Sequence, residues 1–262
     1  MNKKDVMVVV LVILVAVLVV FSSYVYINLQ QDTEPTPRIT NRQQSSQTVQ
    51  QNVLLSSSDF TTNVNNKYFV LIPGTKFTYR GKTDEGAEEN EVYVTKDTKV
   101  VAGINTIVVW DRVWLDGEIK ESTYDWFAQD KFGNVWYFGE DSKDYEDGKV
   151  KSTKGSWKAG VNGAKPGIVM KANPKAGDKY QQEYLKGVAE DMAEVIRLGA
   201  KLNIGSKNYT NCIEIKEWNP LEKDSDEYKY FCQEVRNLVY EFSLEDKEQL
   251  QLVSIAKNSE PR

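Results

Sequence analysis

Residues 124–157 read YDWFAQDKFGNVWYFGEDSKDYEDGKVKSTKGSW. Aromatics crowd this stretch: Tyr124, Trp126, Phe127, Phe132, Trp136, Tyr137, Phe138, Tyr145 and Trp157. Carboxylates stand between them, at Asp125, Asp130, Glu140, Asp141, Asp144, Glu146 and Asp147. Two turn signals, Lys131-Phe132-Gly133-Asn134 and Glu146-Asp147-Gly148-Lys149, cut it into three strand-length pieces. Aromatic and β-branched runs joined by short Gly-bearing turns form hairpins. The stretch therefore predicts a three-stranded antiparallel meander with the core on one of its faces.

The same pattern extends outward. Residues 105–115 are long and β-branched, Asp116-Gly117 is a two-residue hairpin signal, and residues 118–129 return antiparallel. Residues 91–95 alternate as a half-buried strand does. Earlier, residues 68–72 run into the turn pair Pro73-Gly74, and residues 77–79 form a further strand. Later, residues 210–218, 228–242 and 249–255 are strand-like, and Asn219-Pro220 opens a hairpin loop. Residues 188–198 are ambiguous: local propensity is helical, with Met192, Val195 and Ile196 on one face, yet a surrounding sheet would draw them into strand. The glycine-rich residues 159–167 lack the Gly-Lys-Ser/Thr step of a phosphate loop, so they read as a wide loop or sheet corner. The expected fold is mainly β: one strongly curved antiparallel sheet, an open or half barrel built of hairpins, over residues 67–257, with a tail at 258–262.

Ahead of this domain, residues 6–29 are an apolar run without a charge, long enough to cross a bilayer, where about 20 residues suffice. Tyr24 and Tyr26 fall where an interfacial belt would lie, and Lys3 and Lys4 predict a cytoplasmic N-terminus. A cleaved signal peptide is the alternative, although no small-x-small site is clear. The expectation is an N-terminal transmembrane helix at residues 1–29, a single-pass anchor contacting the membrane through residues 6–29, with the domain outside the cell membrane. Residues 30–66 are rich in Gln, Ser, Thr and Asn and read as a flexible stem, with Phe60 able to dock locally.

The 262-residue chain carries a net charge of −5; residues 1–29 carry +1, so the remainder carries −6. An acidic exported part argues against nucleic acid, which demands a basic face. There is no histidine. That removes Ser-His-Asp and Cys-His catalysis and His-ligated zinc. The two cysteines, Cys212 and Cys232, read as a disulfide in an exported chain, with two buried free thiols as the alternative.

From Pro73 onward the sequence resembles a family of uncharacterised exported or membrane-anchored bacterial and archaeal proteins. The matching residues include Pro73-Gly74-Thr75, Gly103-Ile104-Asn105-Thr106, Asp111, Asp116-Gly117-Glu118 and Asp125-Trp126. They continue through Ala128-Gln129-Asp130, residues 133–140, Gly155-Ser156-Trp157, residues 159–168 and 189–194, Trp218, Pro220-Leu221 and Lys229-Tyr230. That family is distantly similar to the open β-barrel domains of periplasmic lipoprotein carriers. The resemblance implies a strongly bent sheet with a hydrophobic inner face, and it implies no activity. This chain departs from the family in lacking a lipid-anchoring cysteine after the apolar run. It also has Glu234-Val235-Arg236-Asn237 where relatives carry a Gly-Val-Gly-like turn.

Carboxylates are the abundant catalytic currency. A glycosidase needs two, roughly 5–9.5 Å apart, and Asp125, Asp130, Glu140 and Asp141 offer candidates, with Trp126 and Trp136 as stacking platforms. Against this, alternation alone puts aromatics in a core and acids on the solvent face. Calcium could draw on Asp141, Asp144 and Asp147, or on Asp224, Asp226 and Glu227, but neither set has EF-hand spacing. An apolar small molecule inside the curved sheet would meet Trp126, Trp136, Tyr137 and Phe138. The expected role is non-catalytic, in binding or envelope structure, with no cofactor and no metal. Carriage or sensing of a hydrophobic ligand is the alternative, and carboxylate-based glycoside hydrolysis a more distant one.

Overall fold

The structure, a computed structural model, describes residues 56–83, 85–223, 225–243 and 248–258. The expected anchor at residues 6–29, the stem up to residue 55 and the last four residues of the expected tail lie outside the described residues. Among the described residues no helix is long and apolar enough to cross a membrane. The chain enters through a 3-10 turn at Ser57–Asp59 and two short strands, β1 (Phe60–Thr61) and β2 (Val64–Asn65). Then follow β3 (Val70–Leu71), β4 (Lys76–Thr83), β5 (Gly86–Val101), β6 (Ile104–Leu115), β7 (Glu118–Asp130) and β8 (Val135–Glu146). Next come the short β9 (Lys149–Ser152), β10 (Trp157–Lys158), β11 (Lys165–Met170), β12 (Lys179–Gln181) and β13 (Glu183–Tyr184). The last strands are β14 (Met192–Ile204), β15 (Lys207–Trp218), β16 (Glu227–Cys232), β17 (Asn237–Ser243) and β18 (Gln249–Ala256).

One large antiparallel sheet contains nearly all of them, in the order β12-β14-β15-β16-β17-β18-β4-β5-β6-β7-β8-β11-β13. Long neighbours in sequence are neighbours in space, and β18 pairs with β4 to join the end of the domain to its beginning. The predicted meander is present: β7, β8 and β9 pair in turn, Asp125 opposite Glu140 and Glu146 opposite Lys149. Its third strand is short, and the free edge of β8 is divided among β11, β10 and β9.

The sheet goes further than the open half barrel expected from sequence: it is nearly closed. The two ends of the strand order, β12 and β13, are consecutive pieces of one run separated by Gln182. Residues 179–181 pair with β14, and residues 183–184 pair with β11, so one segment straddles the remaining gap. Gly167 on β11 permits that approach, because a Cβ there would lie 2.4 Å from the Gln182 backbone. Register shifts in β5–β6, β7–β8, β14–β15 and β16–β17 supply the local twist a closed sheet needs.

Of residues 188–198, ambiguous from propensity, 192–198 are strand, while 188–191 form a turn, an isolated bridge at Ala189 and the approach to β14. β12 on one side and β15 on the other supply the ladder bonds that an isolated helix would have made for itself. Ala193 and Val195 are buried, whereas Ile196 is exposed, so the helical face of Met192, Val195 and Ile196 does not exist.

The predicted stem ends earlier than residue 66. The β2–β3 hairpin stops one mouth of the barrel: Val64, Tyr68 and Leu71 share a core with Phe77, Val94, Ile107, Val135, Ile213, Phe231 and Leu252 from strands all round the ring. Polar contacts fasten the plug to the turns at that end. Asn65 and Gln129 exchange two bonds of 2.9 Å, the Asn66 amide donates to Gly133 O at 2.9 Å, and Val70 N–H donates to Arg236 O at 2.9 Å. Arg236 holds a left-handed backbone (φ 59°) in the β16–β17 turn. Its guanidinium donates to the carbonyls of Asn65 and Asn66. Cys212 and Cys232 lie opposite each other on β15 and β16 and are disulfide-bonded.

Candidate functional site: an acidic cavity inside the barrel

Above the plug the barrel interior is not filled. A cavity of about 200 Å³ remains. Its floor is apolar: Phe69 and Leu71 from the plug, with Phe127, Val169, Phe231 and Leu238 from the wall. Half-buried Trp218, Glu222, Ser225 and Glu227, around the β15–β16 connection, form part of its outer lining.

The wall between floor and rim is acidic. Asp111 and Asp125 enter from β6 and β7, and Glu183 and Asp191 from the straddling segment and the approach to β14. Glu217, Glu227 and Glu241 enter from β15, β16 and β17, and Glu222 from the loop. Lys229 is the one cationic residue among those that line the cavity. Its ammonium lies 2.6 Å from Glu217, 3.1 Å from Glu227 and 3.9 Å from Glu241. The ladder explains this arrangement, since Lys229 is paired with Glu241, and Glu227 with Glu217.

So many carboxyls cannot all ionise in so small a space with one counter-charge. Burial lifts Asp125 to about 8, with the Asp111 charge adding to it. Burial raises Glu121, deeper in the wall, to about 8, and Asp111 and Asp191 to about 6. Glu183 and Glu241 are pushed well above the usual carboxylate range, again chiefly by burial. Lys229 is held above the ordinary lysine value: burial opposes its charge, but Glu217, Glu241 and Glu227 together outweigh it.

Tyr137 bridges two of the buried carboxyls. Its hydroxyl is 2.6 Å from Asp125 Oδ1 and 2.9 Å from Glu140 Oε2. A phenol has one proton to donate, so one of the two carboxyls must be protonated and donate back. Asp125 and Glu140 meet because they face each other across the β7–β8 ladder. Gly139, at φ 128°, bends β8 there, and a Cβ at that position would lie 2.4 Å from Trp157 O.

Of the four aromatics singled out from sequence, Tyr137 lines the cavity. Alternation along β8 puts Trp136 and Phe138 on the opposite face, where the Phe60 ring meets them at 6.0 and 5.5 Å. The Trp136 indole donates to Asp130 at 2.9 Å. Trp126 is buried with the Lys99 ammonium 3.5 Å from its ring centroid. Among the four acids considered for sugar chemistry, the structure brings Asp125 and Glu140 together, with the Tyr137 hydroxyl filling the space between them. Asp130 caps the 131–134 turn by accepting from Phe132 N and Asn134 N. Asp141 pairs loosely with Lys143 at 3.9 Å.

The sequence reading placed the acids on the solvent face, so Asp111, Glu183, Asp191, Glu217, Glu227, Lys229 and Glu241 were not recognised as lining residues. The available signal was parity. In residues 227–231, EYKYF, charged Glu227 and Lys229 alternate with Tyr228 and Tyr230, and either set could face inward. The aromatics form the outer set: Tyr228 stacks on Phe242 at 5.0 Å, and Tyr230 lies 6.0 Å from Tyr240.

No protein-family model matches the chain, and no curated protein matches it. One solved structure is similar, described as "a putative lipoprotein" from Parabacteroides distasonis, at 11% identity and a TM-score of 0.38. The overlap covers 72% of this chain and 98% of that one. It is too loose to carry fold or function from one chain to the other.

Proposed function

We propose that the barrel is a non-catalytic binding or carrier domain for a small amphipathic molecule, which lodges in the cavity above the plug. The observation that carries this reading is the unfilled interior itself. A cavity of about 200 Å³ is somewhat larger than the roughly 150 Å³ space that holds one benzene-sized molecule. Its apolar floor would receive the tail of such a ligand, and its polar wall would orient the head. The bent sheet implied by the family resemblance agrees with a carrier reading, although the ligand face is less hydrophobic than that resemblance implied. On this reading the domain works outside the cell membrane, held by residues 6–29. The Cys212–Cys232 bond supports an oxidising location.

Native mass spectrometry of the full-length protein, released from gentle detergent, tests the proposal. The expected result is a small copurified adduct that an apolar fluorophore displaces. Absence of any adduct, together with no fluorophore binding, overturns it.

A further inference from the structure

Resting on that reading, we propose that the Glu183–Asp191 side of the cavity is the subsite for the head group of a small organic amine. The protonated ammonium sits among the carboxyls, and its alkyl portion lies on the apolar floor.

Glu183 points to this class. It is fully buried at 0% exposure and lines the cavity, and neither of its carboxyl oxygens meets a donor at full hydrogen-bond geometry; the groups that act on it at longer range are Asp191 and the Trp157 indole. Asp191 Oδ1 likewise lacks a donor at that geometry, and the Asp191 carboxyl interacts with Glu183. The Trp157 indole N–H, buried beside them, acts on the Glu183 carboxyl without closing to a full hydrogen bond. A buried carboxyl whose donors do not close to full hydrogen bonds costs free energy in the empty protein, and a ligand bearing several N–H donors reduces that cost. Lys229 shows that the wall already holds one primary ammonium in this way, between Glu217 and Glu227 at 2.6 and 3.1 Å.

The geometry separates an amine from the other candidates. An anion would face eight lining carboxyls and one ammonium. A divalent metal needs several oxygens gathered within its small coordination sphere. Among the described residues no three lumen carboxyls bring oxygens within 4.8 Å of one another; the one such group of potential ligands, Cys212, Cys232 and Glu234, has both cysteines in the disulfide. An organic ammonium spans wider spacings because its donors project from a larger centre. Around Glu183 stand Asp191, Glu140, Tyr137 and Trp157, with Glu217, Glu227 and Lys229 near Asp191. Burial raises both Glu183 and Asp191, so a bound cation would drive protons off them.

Calorimetry on the full-length protein with hexylamine, hexanol and hexanoate, which share a tail and differ in head charge, tests the assignment. Hexylamine is expected to bind at least tenfold more tightly than hexanol, a difference of about 1.4 kcal/mol, and hexanoate more weakly than either. Amine binding should release protons, read as a heat that depends on the ionisation enthalpy of the buffer. Glu183→Gln should abolish the amine preference while leaving hexanol binding in place, and Asp141→Asn, at a half-buried position that does not line the cavity, should change neither. Hexanol or hexanoate binding as tightly as hexylamine overturns the inference but leaves the binding domain standing. So does amine affinity unchanged in Glu183→Gln, or calcium chloride displacing the amine. If none of the three probes binds, the binding reading falls with it. The wild-type ranking and the buffer-dependent heat need no variant, so a Glu183→Gln protein that fails to fold leaves the test intact.

Discussion

Lys229 is a buried cation facing carboxylates from three strands, and the effect of its removal has a definite sign. Glu217, Glu227 and Glu241 would lose the ammonium now at 2.6, 3.1 and 3.9 Å. Removing one member of a buried ion pair is costly because the remaining charges stay behind. Lys229→Met should therefore lower stability by about 3 kcal/mol near neutral pH. The loss should shrink in acid, because Glu241 takes up a proton more readily once the ammonium no longer opposes it. Urea midpoints at two pH values check this; equal losses at both would mean that the carboxyls do not respond to the lysine. Tyr137 acts differently, donating to one carboxyl and accepting from the other rather than supplying a counter-charge.

At the scale of elements, the barrel depends on two fasteners that join distant parts of the chain. The plug hairpin is one. Leu71 is 3% exposed and packs in the main core, so Leu71→Ala should cost about 2–5 kcal/mol. Leu198→Ala, on an exposed stretch of β14, should stay within about 0.5 kcal/mol. Thermal unfolding of the two variants separates a packed plug from a loosely draped one. The disulfide is the other fastener. It closes a loop with a sequence separation of 20, and its loss in Cys212→Ser/Cys232→Ser should cost roughly 3 kcal/mol. Alkylation without reductant should modify neither thiol in the native protein. Much of the element plan was legible because turn chemistry is local. Asp116-Gly117 and Asp147-Gly148 both adopt positive φ, as tight hairpin turns require. What was not legible is non-local. Pairing of β18 with β4, and the straddling of the gap by residues 179–184, depend on curvature accumulated around the whole sheet. The inward acids were missed for a related reason. Polar residues face solvent in a half-buried sheet, but a nearly closed barrel has a second, interior polar face.

For the whole molecule, that interior makes stability a function of pH, with a definite direction. Unfolded, the carboxyls buried in the barrel ionise near the ordinary value of about 4. Folded, Glu121 and Asp125 ionise at about 8. Between about 4 and about 8 the folded state thus holds protons that the unfolded state has lost, so stability falls as pH rises through this window. Groups shifted the other way do not cancel it. Asp178 is held below its ordinary value chiefly by its hydrogen bond from Lys171. At Glu234 burial is the largest influence and opposes ionisation, but the hydrogen bonds from Thr210, Asn211 and its own backbone together outweigh it. The stability both add is lost only in stronger acid. Lys229 is raised, so its contribution persists until strongly alkaline pH. The ligand-free protein should accordingly show a higher Tm at about pH 5 than at about pH 8. Glu121→Gln should reduce that difference, since the amide keeps an oxygen for the Thr123 and Ser142 hydroxyls and has no charge to desolvate. The variant should gain most at the alkaline end, by about 1–3 kcal/mol. A Tm that rises from pH 5 to pH 8 would show that the lumen carboxyls are ionised throughout, and that the interior is open to water rather than a desolvated cavity waiting for a cation.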